Sequence, residues 1–117
     1  MLKKENRLKK RYQYNYVYRV GAKANGLFMT LYATSSKTKN IKVGFSVTKK
    51  VGKATRRNLA RRRLREIVKK QLPKLKQNYN IIIVAKDNIL SATFESLKVE
   101  FEKLIRKLDL IQNEESI

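Results

Sequence analysis

Seven residues in the second half of the chain constrain its fold more than any others. Tyr79–Ala85 is a run rich in β-branched apolar residues, unbroken from Ile81 to Ala85. Such a run marks a strand buried on both faces, because a strand with one wet face alternates instead. Upstream, Ile41, Val43, Phe45 and Val47 alternate with Lys42, Gly44, Ser46 and Thr48, the period of a half-buried strand. Leu27–Thr34 reads as a further strand, and the polar stretch Ser35–Asn40 as the loop between them. Residues 55–72 look helical and stop at Pro73. Phe94, Leu97, Phe101, Leu104, Ile105 and Leu108 repeat at helical spacing behind a cap predicted at Ser91. Strands and helices packed on one sheet give an α+β sandwich.

Segment 12–20 admits two readings. Tyr12, Tyr14, Tyr16 and Tyr18 alternate as in a strand, while Leu8, Tyr14, Val17 and Tyr18 fit a helix that Gly21 would stop. Periodicity leaves both open.

At 117 residues the chain makes one domain, 1–117, with loose ends expected at 1–5 and 112–117. With 42% hydrophobic residues it can bury a core, so a disordered basic tail is excluded as a description of the whole. It has no Cys and no His. Disulfides, thiolate or imidazole metal sites, Cys nucleophiles and imidazole acid–base catalysis are therefore ruled out. Neither a signal-peptide pattern in MLKKENRLKK nor a run of roughly twenty apolar residues is present, so a soluble, cytoplasmic protein without a membrane partner is expected.

Lys and Arg number 29 against 9 Asp and Glu, a net charge of +20. The acids are unevenly placed: the sixty residues between Glu5 and Glu66 contain none, yet carry eighteen Lys and Arg. Ordinary solvated surfaces mix the two signs. A one-sign stretch over half a domain points to a face that binds a polyanion.

The helix at 55–72 gives that face an address. At about 100° per residue, with Arg57 at zero, Arg61 falls near 40°, Arg65 near 80°, Asn58 near 100° and Arg62 near 140°. Ala60, Leu64, Ile67 and Val68 occupy the arc from about 280° to about 20°, which can pack on the sheet. Lys49, Lys50 and Lys53 crowd the loop that leads in. Parallel arginines repel one another by a few tenths of a kcal/mol per pair. An external anion resolves that repulsion, and Arg suits bidentate phosphate contact better than Lys. The four tyrosines at 12–18, flanked by Lys9, Lys10, Arg11 and Arg19, suit stacking on single-stranded bases, with two rings expected in the core and two out. No carboxylate pair or phosphate-cradling glycine loop suggests catalysis by the chain itself.

The segment VGFSVTKKVGKATRRNLARRRLRE, Val43–Glu66, resembles the signature of the bacterial ribonuclease P protein component. Lys49-Lys50-Val51-Gly52-Lys53-Ala54 matches its Lys-Lys-x-Gly-x-Ala element; Arg57-Asn58, Arg61-Arg62 and Arg65 match its helical arginines. Leu59 departs, standing where the family usually has the second Arg of Arg-Asn-Arg, and Arg56 or Arg63 is the substitute on that side. The resemblance implies a two-layer sandwich of order α-β-β-β-α-β-α. Its sheet would have four strands, the first near 21–25, and a left-handed β-α-β crossover, and residues 12–20 would be helical. It implies that the chain is the accessory subunit of an RNA-based endoribonuclease. Lys49, Lys50, Lys53, Arg56, Arg57, Asn58, Arg61, Arg62 and Arg65 would bind ribonuclease P RNA. Tyr14, Tyr18 and Tyr32 would line a cleft for the 5′ leader of precursor tRNA. The protein would hold no cofactor or small-molecule substrate, magnesium being required by the RNA subunit. A structural RNA-binding protein, ribosomal or nucleoid, is the alternative.

Overall fold

The computed structural model describes residues 2–112. In chain order its elements are α1 (Arg11–Val20), β1 (Ala22–Asn25), β2 (Met29–Ser35), β3 (Lys42–Ser46), α2 (Ala54–Gln71), β4 (Tyr79–Ala85) and α3 (Phe94–Lys107). The strands lie in the order β1-β2-β4-β3. β1 with β2 and β2 with β4 are antiparallel, whereas β3 and β4 are parallel and joined through α2. The sheet is mixed and four-stranded, in the element order that the family resemblance implies.

β4 explains its own composition. Flanked by β2 and β3, it sends Ile81, Ile83 and Ala85 into the main core, with Leu64 and Ile67 of α2 and Phe101, Leu104 and Ile105 of α3. Ile82 points the other way, into a smaller cluster with Leu8 and Val17. Both faces are therefore covered, α2 and α3 on one and α1 on the other, and Ile81, Ile82, Ile83 and Ala85 are buried whichever face they take. Full burial of each isoleucine contributes roughly 1.5–3 kcal/mol. The edge strand β3 keeps its alternation: Val43 is buried in the main core, while Lys42, Gly44 and Ser46 face the α1 side. Of the lead-in, Leu2 is buried in the main core and Lys4–Asn6 form one 3-10 turn. Residues 113–117 of the expected loose tail lie outside the described residues.

Segment 12–20 is a helix. Its tyrosines fit because a helix sorts them by flank: Tyr14 and Tyr18 to one side, Tyr12 and Tyr16 to the other. Val17 lies between, facing the sheet at 0% exposure. At its start the side chain of Gln13 accepts the Lys10 backbone N–H at 3.1 Å. Gly21 ends it, but not as a left-handed cap, since its φ of −75° and ψ of 153° are extended. Glycine is needed there for closeness: a Cβ would sit 2.5 Å from the Val17 carbonyl oxygen and 3.0 Å from that of Ala33.

The cap of α3 is Thr93 rather than Ser91. The Thr93 hydroxyl oxygen accepts the Ser96 N–H at 3.0 Å, whereas Ser91 donates to the Asn88 carbonyl at 2.7 Å within a short 3-10 turn. Further along α3, the Glu100 carboxylate accepts three backbone N–H groups from the β1–β2 turn: Leu27 at 2.8 Å, Phe28 at 2.9 Å and Met29 at 2.9 Å. This one side chain pins the hairpin to the helix layer. Glu100→Gln is expected to lower stability by about 1–2 kcal/mol, since a neutral amide replaces charge-assisted bonds. A urea midpoint equal to that of the parent would reject the clamp.

Candidate nucleic-acid interface

α2 carries its arginines as the wheel lays them out. Ala60, Leu64, Ile67 and Val68 are buried, whereas Arg62, Asn58 and Arg56 are exposed and Arg57, Arg61 and Arg65 half-buried. The loop before it is shaped for tightness. The Thr48 hydroxyl accepts the Lys50 N–H at 3.4 Å in a 3-10 turn, Lys49–Val51. Gly52 then adopts φ of 141°, which a side chain would make strained, and a Cβ would meet Arg56 Cδ at 2.7 Å. Lys49, Lys50 and Lys53 stay exposed around it.

The guanidiniums are oriented by neutral acceptors. Arg57 donates to the Gly52 carbonyl at 3.0 Å, Arg61 to Asn58 Oδ1 at 3.1 Å, and Arg56 to the Val51 carbonyl at 3.5 Å. Among the described residues the only ion pair is Lys76–Asp109, at 3.2 Å, and it involves none of the cations of this helix. The cations are thus held in place but electrically unanswered, an arrangement matched to an anion arriving from outside.

Sequence spacing could not show where this face leads. Arg61 and Arg65 share a cavity of about 220 Å³ with Arg7, Leu8, Tyr14, Val43 and Phe45. Residues of the basic helix and of the tyrosine helix therefore border one cavity, although more than forty positions part Tyr14 from Arg61 in the chain. Arg7 is a cation the motif did not single out; its Nε donates to the Leu2 carbonyl at 2.9 Å, which fixes it at the cavity rim.

Three tyrosines face the sheet side of α1. Tyr18 and Tyr32 meet edge to face, with centroids 5.0 Å apart and planes at 87°. Lys23 stands 5.7 Å from the Tyr32 ring. Tyr14, one turn from Tyr18, donates its hydroxyl to the Leu8 carbonyl at 3.3 Å and lies over Gly44, where any Cβ would collide with the ring. The structure thus brings Tyr14, Tyr18 and Tyr32 together on one side, and leaves Tyr12 and Tyr16 outward; of the four rings at 12–18 only Tyr14 packs on the core, against the two expected, since Tyr18 stays 37% exposed. Burial pushes the Tyr14 phenol above its ordinary value, against the smaller opposing effects of a hydrogen bond from the Phe45 backbone and of Arg61. The neutral phenol is the form the fold favours. Its contribution is whole below about pH 10 and is lost as pH climbs through the folded-state value. A near-ultraviolet titration should show a late-ionising phenol that Tyr14→Phe removes; an unchanged high-pH limb would contradict the burial.

Leu59 lies off this face. It lines a cavity of about 610 Å³ toward α3 with Phe94, Arg62, Arg63, Arg65 and Glu66. Of the two candidate substitutes, Arg63 borders the same cavity as Leu59, while Arg56 folds back over Gly52.

Fold and site together define a basic α+β protein whose cations face outward for a polyanion. The sequence model of the Ribonuclease P family matches residues 2–109. The ribonuclease P protein component of Caldanaerobacter subterraneus subsp. tengcongensis is 33% identical over 115 residues, covering 98% of this chain and 99% of that protein. That of Thermoanaerobacter pseudethanolicus is 35% identical over 115 residues, with the same coverage of 98% and 99%. Among solved structures, the Staphylococcus aureus RNase P protein superposes with a TM-score of 0.84 at 23% identity, over 92% of this chain and 98% of that one. The Thermotoga maritima RNase P protein gives 0.78 at 20%, over 86% and 96%. This chain belongs to the ribonuclease P protein component family: it is an accessory subunit of the enzyme and a partner of its RNA.

Proposed function

We propose that this chain binds ribonuclease P RNA through α2 and the loop before it, and holds the single-stranded 5′ leader of precursor tRNA against Tyr14, Tyr18 and Tyr32. The cavity that joins Arg61 and Arg65 to Tyr14 carries the reading, because it makes one continuous surface of a phosphate-binding helix and a base-stacking flank. Lys49, Lys50, Lys53, Arg56, Arg57, Asn58, Arg62 and the two shared arginines neutralise phosphates, releasing counterions as the two RNAs approach. Stacking on the tyrosines holds unpaired bases at about 1–3 kcal/mol each. The chain's part is positioning and charge relief, in the cytoplasm where precursor tRNA is processed. Magnesium held by the RNA subunit would activate water for the hydrolysis.

The test is reconstitution of precursor tRNA cleavage with the RNA subunit at low magnesium. The protein should stimulate cleavage, and Tyr18→Ala should weaken binding of leader-bearing precursor more than of mature tRNA. Binding without any gain in cleavage would favour a structural RNA-binding protein instead, and equal losses for both tRNAs would reject the tyrosine assignment.

A further inference from the structure

The outward flank of α1 holds features that the leader-facing flank does not use. Tyr12 is 68% exposed and Tyr16 48%, one helical turn apart on the same flank. Scattered exposed aromatics need no explanation, but these two border a common hollow of about 540 Å³ with Gln13, Asn15, Arg19 and Asn80. The Arg19 guanidinium lies 5.7 Å from the Tyr16 ring centroid, a cation already placed over the aromatic surface. Asn80 belongs to the sheet beneath. It is one of the β4 residues that face α1, and its Oδ1 is shut from solvent without a hydrogen-bond partner among the described residues. That unmet acceptor weakens the fold, and Asn80, with its oxygen closed off, is floor to the hollow rather than a ligand contact. Lys42 is its register partner on β3, on the same face, which adds a second cation near the hollow.

We infer that this hollow is a binding site for one unpaired nucleobase, separate from the Tyr14–Tyr18–Tyr32 side. Tyr16 supplies the stacking face and Tyr12 the open wall, while Arg19 and Lys42 meet the flanking phosphates. The inference rests on the reading of the chain as an RNA-binding subunit. The base belongs either to the ribonuclease P RNA or to the substrate leader, and the chemistry of the hollow is the same for both.

The experiment uses the full chain in a Tyr18→Ala background, which suppresses stacking on the other flank, titrated with fluorescent hexa-adenylate and hexa-uridylate RNA. Tyr16→Ala should weaken hexa-adenylate binding by between about fivefold and about a hundredfold. Tyr16→Phe, which keeps the ring, should bind as the parent does. Oligonucleotide binding insensitive to Tyr16→Ala overturns the site, as does an equal loss in Tyr16→Phe. A Tyr12→Ala/Tyr16→Ala pair then separates the sources. Weaker binding of the RNA subunit alone assigns the base there, and a loss seen only with longer leaders assigns it to the substrate. A loss in neither refutes the proposal. Stimulation of cleavage at low magnesium, which tests the broader reading, does not depend on this outcome.

Discussion

Replacing Arg57, Arg61, Arg62 and Arg65 together with glutamine is expected to weaken binding of ribonuclease P RNA by roughly two to three orders of magnitude at physiological salt. The size follows from phosphate neutralisation: each contact given up flattens the slope of log K against log salt by roughly 0.9 on duplex RNA-like sites. Four contacts would flatten it by about three to four. The same substitution should leave the fold intact or slightly stabilised. Glutamine keeps the helix propensity, and Arg57 with Arg61 and Arg61 with Arg65 are like-charged neighbours four residues apart that repel by a few tenths of a kcal/mol each. No acid partner is abandoned, because the ion pair seen among the described residues is elsewhere. The opposite signs of the two effects make the measurement decisive. Filter binding across a salt series, with thermal unfolding of the same samples, reads both. A quadruple variant with the parent's salt slope would show that phosphates dock on some other surface.

What the sequence revealed and what it concealed divide along a physical line. β4 was legible because burial on both faces removes alternation, and that signal is written in the residues themselves. The arginine arc was legible too, since a helix wheel needs only spacing. Segment 12–20 was not, because period-2 tyrosines satisfy a strand locally. Only the partners decide for the helix: Leu8 and Ile82, which enclose Val17, lie in other elements. The α3 cap was misplaced at Ser91 because two candidates stand close together. The choice of Thr93 depends on which hydroxyl reaches an open N–H. Nothing local marks Glu100 as a clamp, since its three partners sit more than seventy positions upstream at the hairpin turn. The meeting of Arg61 and Arg65 with Tyr14 is of the same kind. It comes from α1 and α2, on opposite faces of the sheet, both reaching one cavity at its β3 edge, and no local pattern encodes it.

Gly21→Ala should separate the two halves of that surface. The added Cβ would lie 2.5 Å from the Val17 carbonyl oxygen and 3.0 Å from that of Ala33. Both are backbone atoms held by hydrogen bonds, so no side chain can swing aside to relieve the contact. The Gly21 N–H itself donates to the Val17 carbonyl at 2.8 Å, the last bond of α1. Either α1 lifts from the sheet or its final turn opens, and overpacking of this severity costs about 3 kcal/mol. The small cluster of Leu8, Val17 and Ile82 then loosens, and Tyr18 moves from its edge-to-face contact with Tyr32. α2 is anchored in the other core, on the opposite face, and keeps its arginines in place. In the folded fraction, affinity for the RNA subunit should therefore stay close to that of the parent, while discrimination of leader-bearing precursor from mature tRNA falls. Thermal unfolding together with paired binding to the two tRNAs checks this. If the Gly21→Ala midpoint matches the parent and leader discrimination persists, the junction of α1 with β2 does not hold the tyrosines in place.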